Sequence, residues 1–323
     1  MTRAKNSLTN VAQNDKIIIY DRLTVFIGRK YKNMFICDKW EDYKVLDISK
    51  GEKLEDWGEY RLIRPDPQVI WDERQKPQLW KTANAHYHRK NTGGGSWQVH
   101  TKIPDKWKIN FSPLELSFYV KPMGFKHTGL FPEQAVNWMW FSDLIKKAGR
   151  PVKVLNLFAY TGGATAAAAG VGASVVHVDS SKGMVAWAKE NLECSGLREK
   201  PVRFIVDDVI KFVEREARRG NTYDGIIMDP PSYGRGPNGE VWKLEDELYP
   251  LVERCMKILS PEPLFFLINS YTTGLQPTVL SDILKLKLKK KYGGNVMADE
   301  IGIPVSDSDL ILPCGAAGRW WND

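Results

Sequence analysis

The run from Val154 to Ala164 constrains the fold of this chain more than any other part of its sequence. Its apolar start, from Val154 to Phe158, predicts a buried strand, and the alanine-rich residues after Gly162-Gly163 predict the beginning of a helix. A glycine turn between a strand and a helix lets the backbone come close to a ligand at the carboxyl edge of a sheet. The run therefore predicts a ligand-binding α/β fold.

From Pro151 onward, strand-like and helical patterns alternate, which predicts a parallel sheet with crossover helices. The predicted strands are Lys153–Phe158, Ser174–Asp179, Val202–Val206, Gly225–Met228 and Leu264–Asn269. The predicted helices Lys182–Ser195 and Val209–Arg219 are each followed by glycine, the residue expected just past a helix end. After residue 290, the runs Asn295–Ile301 and Asp309–Pro313 predict an antiparallel pair added to the sheet.

The residues before Pro151 have a different pattern. Residues 1–15 form a polar tail, and residues 16–121 contain short β-branched or aromatic runs broken by Gly, Pro and Asp, which favours a β-rich domain. Eight of the twelve Trp lie before residue 150. They could form an aromatic surface for bases, but filling the core of small β layers is the preferred interpretation. Gly93–Ser96 is expected to be a flexible loop, and it lacks the Lys-Ser/Thr of a phosphate-binding loop.

Composition narrows the class of protein. No apolar run approaches the ~20 residues that a membrane span needs, and the polar N-terminus, Met1 to Gln13, has no secretory signal pattern. The four Cys lack the CxxC spacing of a zinc site, which favours reduced thiols in a cytoplasmic protein. His86 and His88 have no clear third ligand, so no metal site is predicted. A net charge of +7 and a pI of about 9.0 suit a polyanionic partner.

Acidic residues end two successive predicted strands. Asp179 follows Gly162 by 17 residues, a position from which a carboxylate can bind both ribose hydroxyls of a nucleoside. Asp207 and Asp208 end the next strand, where one carboxylate can accept a hydrogen bond from an adenine amino group. In both places the alternative is a helix N-cap.

A further acid follows the strand Gly225–Met228, in the run Asp229-Pro230-Pro231-Ser232-Tyr233. Two prolines make a rigid backbone without N–H donors, so the Asp229 carboxylate and a neighbouring carbonyl can face an acceptor base or amine. Tyr233 can stack on that acceptor. The turn around Gly162 lacks the G-x-G-x-x-G pattern of dinucleotide binding, and a nucleoside site without pyrophosphate glycines fits S-adenosylmethionine.

These motifs resemble class I S-adenosylmethionine-dependent methyltransferases, and more narrowly the bacterial group related to 23S rRNA cytosine carbon-5 and guanine-N7 methyltransferases. The resemblance covers about residues 120–315. The motifs that carry it are Asn156-Leu157-Phe158-Ala159-Tyr160-Thr161-Gly162-Gly163, Val178-Asp179-Ser180-Ser181, Asp208-Val209, Asp229-Pro230-Pro231-Ser232-Tyr233 and the upstream run from Gly124 to Gln134.

The resemblance implies a Rossmann-like, seven-stranded sheet with an antiparallel C-terminal strand in residues 122–323, and substrate recognition by residues 16–121. It implies S-adenosyl-L-methionine as cofactor and RNA, specifically 23S rRNA, as substrate. It assigns cofactor binding to Phe131, Gln134, Asn156, Phe158, Tyr160, Thr161, Gly162, Asp179, Ser180, Asp207, Asp208 and Asp229. It assigns the catalytic roles to Asp229, Pro230 and Tyr233.

The chain departs from the carbon-5 enzymes of this group in one respect. Methylation at cytosine carbon-5 needs a thiolate nucleophile, and those enzymes carry a Cys after the fifth strand, where this chain has Asn269-Ser270-Tyr271. Cys255 is expected to be a core residue, and Cys314 is the remaining candidate nucleophile. Methylation of a nitrogen needs no covalent step and is therefore favoured.

The sequence leaves several alternatives open. The loop Gly234–Glu240 could close over a substrate with Arg235 on a phosphate, or it could be a plain surface loop. His127 could be a contact or a structural donor, and Lys285–Lys291 is expected to be a solvated helix face. An RNA methyltransferase is the first hypothesis, ahead of a protein or small-molecule methyltransferase. A binding protein without catalysis is disfavoured by the pair Asp179 and Asp229.

Overall fold

Strands dominate the computed structural model, which describes residues 34–90, 94–235, 241–272 and 274–322. Their bounds are β1 (Met34–Ile36), β2 (Tyr43–Ser49), β3 (Glu52–Trp57), β4 (Tyr60–Pro65), β5 (Ala85–Arg89), β6 (Gly95–Val99), β7 (Trp107–Phe111), β8 (Leu116–Val120), β9 (Lys153–Leu157), β10 (Ser174–Asp179), β11 (Val202–Val206), β12 (Gly225–Met228), β13 (Tyr233–Arg235), β14 (Val241–Lys243), β15 (Phe265–Ser270), β16 (Asn295–Pro304) and β17 (Ile311–Trp321).

The helices lie mostly in the second half of the chain. They are α1 (Pro77–Trp80), α2 (Ala135–Lys147), α3 (Gly163–Gly170), α4 (Lys182–Cys194), α5 (Val209–Arg219), α6 (Leu244–Cys255), α7 (Pro277–Leu284) and α8 (Lys290–Tyr292). A π-helical turn, Lys285–Lys289, joins α7 to α8, and short 3-10 turns span Ser112–Leu114 and Pro132–Gln134. Within the part of the chain that the structure describes, no helix combines the length and apolarity needed to cross a membrane.

The central sheet has the order β1-β16-β17-β15-β12-β9-β10-β11. Only β17 runs antiparallel to its neighbours, β15 and β16, and the other pairs are parallel. The predicted mostly parallel sheet with an antiparallel C-terminal strand is confirmed. The short strand β1, which comes from the N-terminal side of the chain, adds an eighth strand that the sequence pattern did not predict.

The structure places the first five predicted strands within one residue at each end, whereas the two runs after residue 290 are predicted too short. The strand β16 continues to Pro304 rather than ending at Ile301. Phe158 lies just outside β9, and β15 begins at Phe265 rather than Leu264. The last predicted run, Asp309–Pro313, is too short, since β17 continues to Trp321. Small residues in β17 explain the difference, because they let α7 pack directly on the strand: a Cβ on Gly318 would lie 2.9 Å from Cβ of Leu280.

The residues before the central sheet form a five-stranded sheet of order β2-β3-β4-β5-β6 and the hairpin β7-β8. Residues 34–323 form one compact unit, whereas the predicted tail and the start of the predicted β-rich segment lie outside the described residues. The expectation that Trp fills the core here is confirmed by buried Trp40, Trp57 and Trp107. The expected loop Gly93–Ser96 is wrong at its end, because Gly95 and Ser96 pair with β5 in strand β6.

Hydrogen bonds join the β-rich part to the helices that flank the central sheet. The amide oxygen of Asn191, in α4, accepts a hydrogen bond from the main-chain N–H of Tyr119, in β8, over 2.9 Å. The indole N–H of Trp40 donates to the carbonyl of Pro132 over 2.9 Å. The first contact holds β8 against α4, and the second ties the segment that leads into α2 to the residues after β1.

Candidate active site

A cleft opens at the carboxyl ends of β9, β12 and β15. This edge is where open α/β sheets bind their ligands. Aromatic and apolar side chains form most of its wall, with a few polar groups among them. The lining residues are Leu130, Phe131, Gln134, Trp138, Phe141, Asn156, Phe158, Ala159, Tyr160, Thr161, Gly162, Gly163, Ala164, Ile227, Asp229, Leu267 and Asn269.

The loop after β9 forms the cleft wall in an unusual backbone conformation. Phe158 and Tyr160 have φ of 55° and 50°, in the left-handed region that side-chain-bearing residues rarely adopt. The Tyr160 N–H donates to Oδ2 of Asp179 over 2.8 Å, and the amide of Asn191 donates to the carbonyl of Thr161 over 2.8 Å. These bonds hold the strained loop in place and aim both aromatic rings at the cleft.

The two glycines of this loop are needed for close packing. Gly162 has φ of 84°, and a Cβ there would lie 2.9 Å from Cβ of Ala188. A Cβ on Gly163 would lie 2.5 Å from the ring of Trp138. A side chain at either position would therefore displace a helix that packs against the loop. The predicted glycine turn is confirmed, whereas its close approach to a ligand stays a prediction, because the neighbours seen here are the chain's own helices.

Asp179 lies at the end of β10 behind the loop, and it does not cap α4. Its Oδ1 accepts a hydrogen bond from the N–H of Ser181 over 2.8 Å, while Ser181 itself is the N-cap residue. Burial raises the pKa of Asp179, and the two main-chain N–H donors oppose that shift. Asp179 and Ser180 are not part of the cleft lining described above, so their contacts with a ribose remain predictions.

The acidic pair after β11 is occupied by local interactions. Asp208 is the N-cap of α5, and its Oδ1 accepts from the N–H of Lys211 over 2.9 Å. Asp207 forms an ion pair with Arg215 at 2.5 Å. The N-cap alternative is therefore what the structure shows for Asp208. Neither residue lines the cleft, and the adenine contact remains a prediction.

Asp229 faces the cleft from the end of β12. Its Oδ1 is shielded from solvent and has no hydrogen-bond partner among the described residues. Burial and, second, the nearby Glu133 carboxylate raise the pKa of Asp229 to about 7. A buried carboxylate without a partner costs folding free energy unless a ligand supplies the missing donor. Its position and charge state therefore suit a group that meets the bound substrate.

The residues after Asp229 leave the cleft. Pro230 is buried, and the carbonyl of Pro231 accepts a hydrogen bond from the indole of Trp242 over 2.6 Å. Tyr233 begins the hairpin β13-β14, is 52% exposed and does not line the cleft. The stacking of Tyr233 on a substrate therefore stays a prediction. Residues 236–240 of the predicted substrate loop and the side chain of Arg235 lie outside the description.

The segment before α2 contributes Phe131 and Gln134, two of the residues that the resemblance assigns to the cofactor, to the cleft wall. The ring of Phe131 lies 5.3 Å from that of Tyr160 and 5.6 Å from that of Tyr271. The amide nitrogen of Gln134 donates to the hydroxyl of Tyr271 over 2.7 Å. His127 contacts the Phe131 ring at 5.3 Å, and burial lowers the pKa of this histidine to about 3, so it is neutral near pH 7.

Sequence reasoning missed three polar residues near the cleft. Asn137, Asn269 and Arg319 form a buried chain of hydrogen bonds with Gln134. They lie on α2, β15 and β17, far apart along the chain. The sequence signal that could have found them is a polar residue within an otherwise apolar buried element, because a buried polar group needs a hydrogen-bond partner in the interior.

The predicted cofactor residue Asn156 belongs to a second buried chain. Its amide donates to Oγ1 of Thr165 over 2.9 Å, and Thr165 is bonded to Nδ1 of His177 over 2.9 Å. Burial lowers the pKa of His177 to about 3, so its ring is neutral. These hydrogen bonds fix β9, β10 and α3 relative to one another beneath the cleft.

None of the four cysteines lines the cleft. The thiol of Cys314 is buried and donates to the carbonyl of Leu312, and burial holds the pKa of Cys314 well above its usual range. Cys255 is wholly buried in α6, as expected of a core residue. A thiolate nucleophile is therefore not placed at the site, since a thiol with a raised pKa stays protonated.

The residues that line the cleft fit S-adenosylmethionine. The aromatic side chains suit the adenine and methionine parts of this molecule, which has no phosphate and so needs no phosphate-binding loop. The unpartnered carboxylate oxygen of Asp229 offers a polar contact in the cleft. The residues that would hold the cofactor are those of the Phe158–Gly162 loop and the Phe131–Gln134 segment.

Comparisons with known proteins agree with this fit. The model of a family described as S-adenosylmethionine-dependent methyltransferase matches residues 85–277. The crystal structure of the SAM-dependent methyltransferase from Agrobacterium tumefaciens is 36% identical, with a TM-score of 0.82 over 89% of this chain and 93% of that one.

Two curated relatives carry the name ribosomal RNA large subunit methyltransferase K/L. The protein from Shewanella baltica is 33% identical over 76% of this chain and 37% of its own length. The protein from Hahella chejuensis is 25% identical over 75% of this chain and 36% of its own length. The chain thus spans a little over a third of the length of these relatives.

Proposed function

This chain belongs to the S-adenosylmethionine-dependent methyltransferase family, and we propose that it methylates a nitrogen of a base in RNA. The observation that carries the proposal is the solvent-shielded, unpartnered Oδ1 of Asp229 at a cleft that no cysteine lines. Nitrogen has a lone pair and needs no covalent activation, whereas carbon-5 of cytosine needs a thiolate. The polar groups of the cleft therefore suit methylation of a nitrogen better than methylation of cytosine carbon-5.

The chain's own residues would orient the acceptor and receive a proton. When bound, S-adenosylmethionine supplies a methyl group on a positively charged sulfur. Asp229 would accept a hydrogen bond from the acceptor N–H, hold its nitrogen in line with the methyl at about 3 Å, and take the proton. A pKa of about 7 suits that proton transfer near neutral pH. Pro230 and Pro231 would keep this edge free of competing N–H donors.

RNA as the acceptor is supported by the names of the curated relatives and by charge. The net charge is +7, and Lys53 in β3 and Arg64 in β4, which form ion pairs with the buried Glu55, lie near Lys126. Arg64 donates to the main-chain carbonyl of Lys126 over 3.1 Å, and burial together with Lys53 and Arg64 lowers the pKa of Lys126. Lys126 has no ion pair among the described residues. We assign substrate recognition to residues 16–121 and the adjoining segment, and place the enzyme in the cytoplasm with large-subunit rRNA as substrate.

Mass-spectrometric mapping of rRNA modifications in a strain that lacks the gene tests this proposal. We expect one methylated base of 23S rRNA to disappear, and to return with the wild-type gene but not with Asp229→Asn. An unchanged map would contradict an rRNA substrate. In that case, incubation of the deletion-strain extract with the enzyme and radiolabelled S-adenosylmethionine would show whether the label enters protein or small molecules.

A further inference from the structure

The buried guanidinium of Arg319 fixes the direction of the hydrogen bonds in the polar chain beside the cleft. Arg319, in β17, is 7% exposed and has no acidic partner among the described residues. Its guanidinium lies 3.7 Å from the centre of the Phe35 ring and donates through Nε and Nη2 to Oδ1 of Asn137, over 2.8 and 2.6 Å. A guanidinium has no acceptor atoms, so the atom of Asn137 that faces it must be the amide oxygen.

The orientation of Asn137 fixes two further amides. Its Nδ2 points away from Arg319 and donates to Oε1 of Gln134 over 2.9 Å and to Oδ1 of Asn269 over 3.0 Å. Gln134 and Asn269 therefore each direct the NH₂ group of the side chain away from Asn137. That of Gln134 reaches the hydroxyl of Tyr271, whereas no described residue accepts a hydrogen bond from Nδ2 of Asn269.

Asn269 lies beside Asp229 at the cleft. Met228 and Ile268 are partners in the parallel pair β12-β15, so the next residues, Asp229 and Asn269, follow side by side. Both line the cleft. The cleft therefore offers an acceptor, the Asp229 carboxylate, next to a donor, the Asn269 amide.

We propose that Asn269 determines acceptor specificity by donating a hydrogen bond to the substrate base, and that Arg319 is a positioning residue that keeps Asn269 in the donor orientation through Asn137. The inference rests on the proposed function and deepens it. The base it selects carries a hydrogen-bond acceptor, a carbonyl oxygen or a ring nitrogen, next to the nitrogen group that meets Asp229. A base without that acceptor would leave the Asn269 amide unpaired, which sites of this kind penalise strongly.

Replacement of Asn269 tests the donor. Asn269→Leu removes the amide without adding charge, and Asn269→Asp exchanges donors for acceptors. We expect both to lower kcat/KM on rRNA from the deletion strain by at least about 100-fold, a loss of the size expected for an unpaired buried polar contact. Affinity for S-adenosylhomocysteine, measured by calorimetry, should change less than about 3-fold. Thr222→Asp, at an exposed position before the amino end of β12, controls for the added charge and should leave both values unchanged.

Replacement of Arg319 and Asn137 tests the positioning. Arg319→Met keeps an unbranched side chain, although a shorter one, and lets the amide of Asn137 reverse. We expect kcat/KM to fall about 10-fold while cofactor affinity holds. If Arg319→Met fails to fold, Asn137→Asp serves instead, because it keeps the contact with Arg319 and removes the donor to Asn269. Cofactor affinity that falls in parallel with kcat/KM would make Asn269 a cofactor contact and overturn the inference.

A modified substrate separates this inference from the proposed function. On a short RNA whose target base lacks the acceptor atom, wild-type kcat/KM should fall to the level of Asn269→Leu, and Asn269→Leu should fall no further. Additive losses would overturn the inference while leaving RNA methylation intact. Absence of any rRNA methylation by the wild type would instead refute the proposed function.

Discussion

The main-chain N–H of Tyr160 donates a hydrogen bond to Oδ2 of Asp179 over 2.8 Å. This bond ties the strained loop after β9 to the end of β10. The residue assigned to the ribose therefore also supports the backbone that shapes the cofactor cleft. Its second oxygen is engaged by the N–H of Ser181, so a ribose would share a carboxylate that already accepts two bonds.

Asp179→Ala should lower affinity for S-adenosylmethionine by at least about 100-fold. Both the ribose contact and the anchor of Tyr160 are lost, and a charged hydrogen bond is worth about 1.5 to 3 kcal/mol. Calorimetric titration measures the effect. Asp105→Ala, at an exposed acid, is the control and should bind normally. Unchanged affinity of Asp179→Ala would remove this residue from the cofactor site.

Asp229→Asn should leave S-adenosylhomocysteine affinity within about 3-fold and reduce kcat by about 100-fold or more, as expected for loss of a proton acceptor. In the wild type, kcat/KM should rise with pH and level off above about pH 7, because the ionised carboxylate accepts the proton and the pKa of Asp229 is about 7. A pH profile that is flat from pH 5.5 to 8.5 would contradict that role.

The same carboxylate should shape the pH dependence of stability. The pKa of Asp229 is about 7 in the folded chain and about 4 when unfolded, so the folded state holds the proton more tightly. Stability should be greatest below pH 4 with respect to this group and fall as pH rises through 7, by roughly 2 to 4 kcal/mol. Denaturation of Asp229→Asn between pH 4 and 8 should show a flatter dependence. Parallel curves for the two proteins would refute the assignment.

Gly162→Ala should destabilise the fold by about 2 to 3 kcal/mol, because it combines left-handed strain with the approach to Ala188 at 2.9 Å. Gly172→Ala is a matched control, since Gly172 has φ of 100° and nothing within 4 Å of the added Cβ. We expect about 1 kcal/mol there, from strain alone. Urea denaturation measures both values. Equal losses would show that packing against α4 does not require this glycine.

Cys314→Ser should retain methyl transfer within about 2-fold, because its buried thiol does not line the cleft and its pKa lies well above the usual range. Steady-state assays on deletion-strain rRNA provide the measurement. Loss of activity with an unchanged melting temperature would revive the carbon-5 alternative. Trapping a covalent complex with RNA carrying 5-fluorocytidine would then identify the nucleophile.

Much of the catalytic half follows from local sequence pattern. The strands β10, β11 and β12 are short, mostly apolar runs that end at or just before an aspartate, namely Asp179, Asp207 and Asp229. The apolar pattern is clearest in β9, β10 and β12, because these strands are almost wholly buried. The end of β17 could not be predicted in this way. Its Gly315-Ala316-Ala317-Gly318 resembles a loop until α7 is known to pack against it.

The site residues also divide into those that a contiguous motif predicts and those that depend on contacts between distant parts of the chain. Phe131, Tyr160 and Asp229 were predictable because each lies in a contiguous motif at a strand end or before a helix. Asn137 and Arg319 could not be found, since their contact spans 182 residues and depends on how β17 enters the sheet. Asp208 shows the opposite effect, because a local N-cap uses the carboxylate that the motif assigns to a nucleoside.

The left-handed residues Phe158 and Tyr160 have a practical consequence for protein engineering. Each holds a conformation that costs of order 1 kcal/mol or more, and glycine there would relieve it. Glycine would also remove a ring that packs against Trp242, for Phe158, or against Phe131, for Tyr160, and loss of a packed aromatic side chain costs about 3 to 5 kcal/mol. That loss outweighs the relief of strain, so glycine substitution, a common remedy for left-handed residues, should both destabilise this enzyme and open its cleft.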